Sequence, residues 1–249
     1  MVDGHLKEFT KRVKDIIMAV AQANRIKRLD FLNVSEQEVL TAMVAKHDDV
    51  SIVFAGGFES AERRRVVVFP SFMSVDVIDT KVSIFRIEVI GTGEITHPQV
   101  MGSLMGLAID RSVIGDITVD KNGAFFASCS EFDTFLKEHF TKVGARDIRL
   151  ELVEDLIERN QQFEEMEIIV SSMRLDVVVK ALIQGSRRIA EEYLDAGFVR
   201  LNHAVDKKPS RMCQVGDLLS IRKQGRFKIV ENKQTTKGGK FVLVVSKSV

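Results

Sequence analysis

No stretch of this 249-residue sequence offers the run of 18 or more apolar residues that a membrane-spanning helix needs. The opening residues, Met1-Val2-Asp3-Gly4-His5, show no apolar leader pattern, so the expected location is the cytoplasm, with no membrane partner. Cysteine is nearly missing. Cys129 and Cys213 stand far apart, with no Cys or His at ligand spacing, which speaks against structural zinc and for two reduced, buried thiols. His5, His47, His97, His139 and His203 form no cluster, so no metal is expected. There is no Gly-x-x-x-x-Gly-Lys-Ser/Thr phosphate loop, and spacing supports neither a Ser-His-Asp nor a Cys-His set. These absences leave no catalytic residue and no cofactor to name.

What is present is segregated charge. Residues 174–249 hold 16 Lys+Arg against 7 Asp+Glu, whereas residues 1–173 hold 20 against 28. The formal net of +1 therefore conceals a basic end and an acidic remainder. Cations gathered on one compact segment are the footprint of polyanion binding.

The pattern predicts an α+β chain of three modules: 1–78, 79–170 and 171–249. In the first, Leu6, Phe9, Val13, Ile16, Ile17 and Val20 recur at helical spacing. Ser35 and Glu38 suggest a capping box for a second helix. Runs 50–55 and 66–69 read as strands on either side of Gly56-Gly57-Phe58-Glu59 and Arg63-Arg64-Arg65. The middle module reads as βαββαβ, ferredoxin-like, with strands at 81–90, 116–119, 124–128 and 147–153. Asn122-Gly123 suits a tight hairpin. Thr96 with Gln99, and Ser130 with Asp133, open its two helices, and Gly144 is expected to end the second. Phe85, Phe125 and Phe126 are the residues that could stack bases, as RNA-recognition sheets do. The acidic stretch 151–167 reads as a solvated linker.

In the third module a short helix from Arg174-Leu175-Asp176 breaks at Gly185, and Ser186 caps a second helix. That helix stops at Gly197, and a strand begins at Val199. Arg187 and Arg188 occupy the first turn of the second helix, where unpaired N–H groups and the dipole already favour phosphate. Further on, Lys233, Lys237 and Lys240 flank a Gly-Gly loop between two strands. Lys237 and Lys240 are expected to supplement the RNA face, with plain solvation an open alternative.

Arg174-Leu175-Asp176, Ser186-Arg187, Ala190, Gly197-x-Val199-x-Leu201-Asn202, Lys208-Pro209-Ser210 and Val215-Gly216-Asp217 together resemble the S-four RNA-binding domain. The resemblance implies RNA contacts by Arg174, Lys180, Arg187, Arg188, Arg200, Asn202, Lys207, Lys208 and Arg211. Asp30-Phe31-Leu32 with Glu36-Gln37, Gly56-Gly57-Phe58-Glu59 with Arg63-Arg64-Arg65, and His97 through Arg111 to Asp116 extend the likeness to YlmH-type bacterial proteins. Pro98-Gln99 stands where that family usually has Arg-Asp, and Asp110 where a Lys is common. The family implies a non-enzymatic, ribosome-associated factor. Its implied partners are large-subunit rRNA, tRNA and other ribosome quality control factors, during rescue of stalled translation and tailing of the nascent chain. Two other classes stay open: an RNA-modifying enzyme of pseudouridine synthase or methyltransferase type, and an interaction factor for cell-division proteins.

Overall fold

The computed structural model describes residues 2–120, 123–153, 163–235 and 239–248. The chain divides into two compact units, Met1–Asn160 and Gln161–Val249. Among the described residues, no helix is long and apolar enough to cross a membrane.

The first unit opens with α1 (Val2–Ala23), β1 (Lys27–Leu32), α2 (Val34–Val44), β2 (Val50–Ala55) and β3 (Arg64–Pro70). The strands form an antiparallel sheet in the order β1-β3-β2. Phe9, Val13, Ile17 and Val20 of α1 are buried in one cluster with Leu29, Leu40, Val66 and Val68, as the helical stripe requires. The capping box sits one step earlier than Ser35 and Glu38. Because β1 runs to Leu32, Asn33 becomes the N-cap: its Oδ1 accepts from Glu36 N at 3.1 Å, and Glu36 Oε2 accepts from Asn33 N at 2.8 Å.

The same unit continues with β4 (Val82–Val89), α3 (His97–Met105), β5 (Ile114–Asp120), β6 (Gly123–Cys129), α4 (Asp133–His139), β7 (Lys142–Val143) and β8 (Arg146–Val153). The antiparallel sheet runs β5-β6-β4-β8-β7, the split βαβ order, with a short fifth strand added at the edge. Gly144 does not end the helix, which stops at His139. With φ 58° it instead turns the β7–β8 hairpin. Lys121 and Asn122 of the expected hairpin turn lie outside the described residues.

The two faces of this sheet have different partners. Phe85 stacks on Phe126 at 5.3 Å, and Phe126 meets Phe140 edge-on at 5.7 Å, all three in the core beside α4. The opposite face takes the N-terminal segment. A Cβ on Gly115 would come within 2.6 Å of the Phe31 ring and 3.0 Å of Ala127 Cβ, so only glycine lets β1 and β5 approach this closely. Base stacking by the sheet aromatics is therefore ruled out. Phe85 and Phe126 are fully buried and Phe125 is only 9% exposed, whereas stacking needs an open ring face.

Polar groups close the same seam. Asp116 accepts from the backbone N–H of Glu62 at 2.7 Å and of Arg63 at 3.3 Å. Arg63 donates to the carbonyls of Ile114 and Phe31 at 3.2 and 2.9 Å. Arg111 donates to Ile114 and Gly115 carbonyls; burial, with Arg63 alongside, brings its guanidinium down to about 10. Arg65 is buried, donating to Leu29 O at 3.2 Å, to Lys81 O, and to both Glu131 oxygens at 2.7 and 2.9 Å. Arg65→Ala should cost about 2–3 kcal/mol, since the carboxylate it leaves is half-exposed and a charge-assisted bond is worth about 1.5–3. Chemical denaturation of the full chain measures it.

The second unit comprises β9 (Phe163–Val170), α5 (Leu175–Leu182), α6 (Arg187–Asp195), β10 (Val199–Leu201), β11 (Ala204–Val205), β12 (Leu218–Ile221), β13 (Gly225–Thr235) and β14 (Phe241–Ser248). The sheet order is β11-β10-β12-β13-β14-β9. Here the boundary expected at 170 moves. Residues 163–167, read as acidic linker, begin strand β9, which pairs with β14 from Phe163↔Ser248 to Val170↔Phe241. Glu165 and Glu167 take the solvent face, while Ile168 and Val170 reach the core. Residues 154–162 of that stretch lie outside the described residues. Gly197, at φ 70°, stops α6 as expected, but at the α5–α6 break the left-handed residue is Gln184 (φ 50°) rather than Gly185.

Candidate nucleic-acid interface

Asp176 organises the helix side of this unit. It lies in the first turn of α5, fully buried, where a carboxylate also suits the helix dipole. Arg174 donates to it through Nε at 3.0 Å and Nη2 at 3.2 Å. Arg187 donates across from α6 through Nε at 3.1 Å and Nη2 at 2.8 Å. Burial pushes the Asp176 carboxyl up, but the hydrogen bonds from the two arginines outweigh it and hold the group below its ordinary value. The helix ends are thus locked together around one anion. Arg187 nonetheless remains 59% exposed, and a guanidinium carries five N–H donors, so it still presents donors to a phosphate.

The next residue is more open. Arg188 is 81% exposed and, among the described residues, pairs along its own helix with Glu192 at 2.8 Å. Ser186 caps α6 by accepting from Ile189 N at 3.2 Å. The turn that carries Lys208 and Arg211 is pinned to the same end of the unit. Leu175 N donates to Arg211 O at 2.7 Å and Asp176 N to Pro209 O at 3.2 Å, and Arg174 bridges to Met212. Arg174, Arg187, Lys208 and Arg211 are thereby gathered around the α5 N-terminus, although no sequence spacing links 174 to 211. Lys180 lies exposed on the last turn of α5.

Other expected contacts are placed elsewhere. Asn202 forms the β10–β11 turn with His203; its amide donates to Asp217 at 2.8 Å and its carbonyl oxygen accepts from Leu218 N at 2.9 Å. Lys207 donates to Asp195 O at 2.8 Å, closing the C-terminus of α6. Arg200 sits on β10 between buried Val199 and Leu201, so alternation sends it to the sheet face away from α5 and α6. Lys233 is paired with Glu167 at 2.8 Å. Lys237 lies outside the described residues, and Lys240 immediately precedes β14. Both thiols are buried, which pushes Cys129 and Cys213 up to about 12 and makes them poor nucleophiles at neutral pH.

Three family models match in sequence order: "YlmH, N-terminal" over residues 5–72, "Putative RNA-binding domain in YlmH" over 79–156, and the S4 domain over 173–219. The chain is 30% identical over 226 residues to "Ribosome-associated protein quality control protein P2" of Bacillus subtilis (strain 168), covering 89% of this chain and 87% of that protein. A solved structure of "Cell division protein ylmH from Streptococcus pneumoniae" shares the fold, with a TM-score of 0.52 and 22% identity over 61% of this chain and 94% of that one. The order of matched domains and the near full-length identity agree: the chain belongs to the YlmH family and carries an S4 RNA-binding domain at its basic end.

Proposed function

We propose that the protein is a non-enzymatic, cytoplasmic RNA-binding factor that acts on the large ribosomal subunit, holding rRNA and peptidyl-tRNA while a stalled chain is rescued and tailed. The observation that carries the reading is the clamp at Asp176, which fixes two guanidinium groups at the helix N-termini beside exposed Arg188. Rigid, fork-shaped donors at a helix start suit phosphates of a folded RNA. The relative named as a ribosome-associated quality control protein supports the ribosomal context.

Sucrose-gradient sedimentation of cell extracts tests the context. The expected result is enrichment with free large subunits. Protein that stays at the top of the gradient at physiological salt, or that follows division proteins after RNase treatment, would overturn it. The RNA contact is tested separately. If the face neutralises about five phosphates, log affinity should fall with log salt at a slope of about −3.5 to −4.5. Arg188→Ala touches no core contact, so it should flatten that slope by about 0.7–0.9 while leaving the melting temperature unchanged.

A further inference from the structure

The three-stranded sheet of the first unit has two unlike edges. On one side stands β1, which carries Lys27, Arg28 and Asp30, and whose pairing with β3 is interrupted by a register shift between Leu29 and Phe31. Charges and bulges are the usual means by which an edge strand refuses a further strand. On the other side stands β2, which has neither. Its sequence, Val50-Ser51-Ile52-Val53-Phe54-Ala55, holds no charge, no proline and no glycine, and it pairs with β3 without a register shift. Such a run is strongly β-forming.

The register shows where its backbone points. Ser71 N donates to Asp49 O at 3.0 Å, one step beyond the Val50↔Pro70 pair. Antiparallel bonding alternates along a strand. Ser51, Val53 and Ala55 therefore bond inward to β3, and Val50, Ile52 and Phe54 turn their N–H and C=O groups outward. Val50 N is taken by His47 O at 3.3 Å. The N–H groups of Ile52 and Phe54, and the carbonyls of all three residues, meet no backbone partner among the described residues. Ser51 to Ala55 are each partly exposed, whereas Val66, Val67 and Val68 of β3 are fully buried.

We propose that this edge is a homodimer interface, in which β2 pairs antiparallel with β2 of a second copy and joins the two sheets into one. An isologous pair must set outward residues against outward residues, and a two-fold axis at Ile52 does so. Ile52 then faces its own counterpart, Val50 faces Phe54 on either side, and every free N–H of both strands finds a carbonyl. The second copy is the favoured occupant because the strand is its own match. That register sets no charge against a like charge, since Asp48 and Asp49 fall opposite Gly56 and Ala55. One strand pair buries less than a permanent dimer needs, so the association should be reversible and rise with concentration.

Analytical ultracentrifugation of the full chain, free of RNA and over a concentration series, tests it. The parent should shift from monomer to dimer as concentration rises. Ser51 points away from the α1–α2 core that Val50, Ile52 and Phe54 join, and across the two-fold axis it lies diagonal to its counterpart, at about 7–8 Å. Ser51→Lys and Ser51→Glu each place like charges there and should raise the dissociation constant at least about fivefold. Mixed in equal amounts, the two variants should associate again to within about twofold of the parent, a rescue that misfolded chains could not give. Gln22→Lys adds the same charge at an exposed position of α1 and should associate as the parent does. The proposal is overturned if the parent stays monomeric at every concentration, or if the Ser51 variants dimerise as tightly as the parent. It is equally overturned if Gln22→Lys weakens the dimer as much, or if mixing rescues nothing. A monomeric parent whose Ile52 and Phe54 amides respond to an extended peptide of another protein would give the edge to that partner and end the dimer reading.

Discussion

Replacing Asp176 with Ala should destabilise the C-terminal unit by about 2–3 kcal/mol, the worth of its charge-assisted hydrogen bonds, since the guanidinium partners it leaves are 36% and 59% exposed. The carboxylate is fully buried between two guanidinium groups, and its loss leaves Arg174 and Arg187 facing each other with no anion between them. Asp176→Asn keeps the shape and one accepting oxygen but loses the charge and turns the other position into a donor facing the guanidinium groups, so it should fall between the parent and Ala. The pH dependence has a definite sign. The folded-state value lies below the ordinary 3.8, so the stabilisation is complete above that value and is lost as pH falls through the lower folded value. Urea melts of the full chain between neutral pH and the acid limb should show the wild-type unit losing stability below about pH 4. The Asn variant should lack that part of the loss. RNA affinity measured on the folded fraction should also fall, because the clamp holds the arginine that α6 presents. Affinity equal to wild type would show that Arg187 needs no such support.

The sequence revealed elements more readily than encounters. The α1 stripe, the βαββαβ order, the Ser186 cap and the Gly197 stop were legible because each depends on residues a few positions apart. Strand β1 was missed, since Lys27-Arg28-Leu29-Asp30 shows no alternation until Arg65 and Ser112 are brought to it. One partner of Asp176, Arg174, stands two residues away, but the second lies eleven residues on and across a helix break. The resemblance groups Arg200 with the helix arginines, but a motif does not say which side of a sheet a residue occupies, and its place between buried Val199 and Leu201 does.

The second large effect is expected at Gly57. It stands at φ 81°, and a Cβ there would meet Ile84 Cγ1 at 2.9 Å and Ala127 Cβ at 3.2 Å. Gly57→Val incurs two penalties: about 1–3 kcal/mol for a β-branched residue in the left-handed region, and about 1–3 for overpacking the seam between the N-terminal segment and the central sheet. Neither can be relieved cheaply, because Ile84 and Ala127 lie on adjacent, paired strands. A loss of about 2–6 kcal/mol should therefore appear in the unfolding of the first unit. The second unit has its own core and should keep its melting transition and its affinity for RNA. Differential scanning calorimetry alongside RNA titration separates the two. If Gly57→Val leaves both transitions in place but lowers RNA affinity, the Gly56-Gly57 and Arg63-Arg64-Arg65 segments contact RNA directly. If only the first transition moves, they serve as the joint that covers the open face of the βαββαβ sheet, the role their contacts with Asp116, Glu131 and the backbone carbonyls already describe.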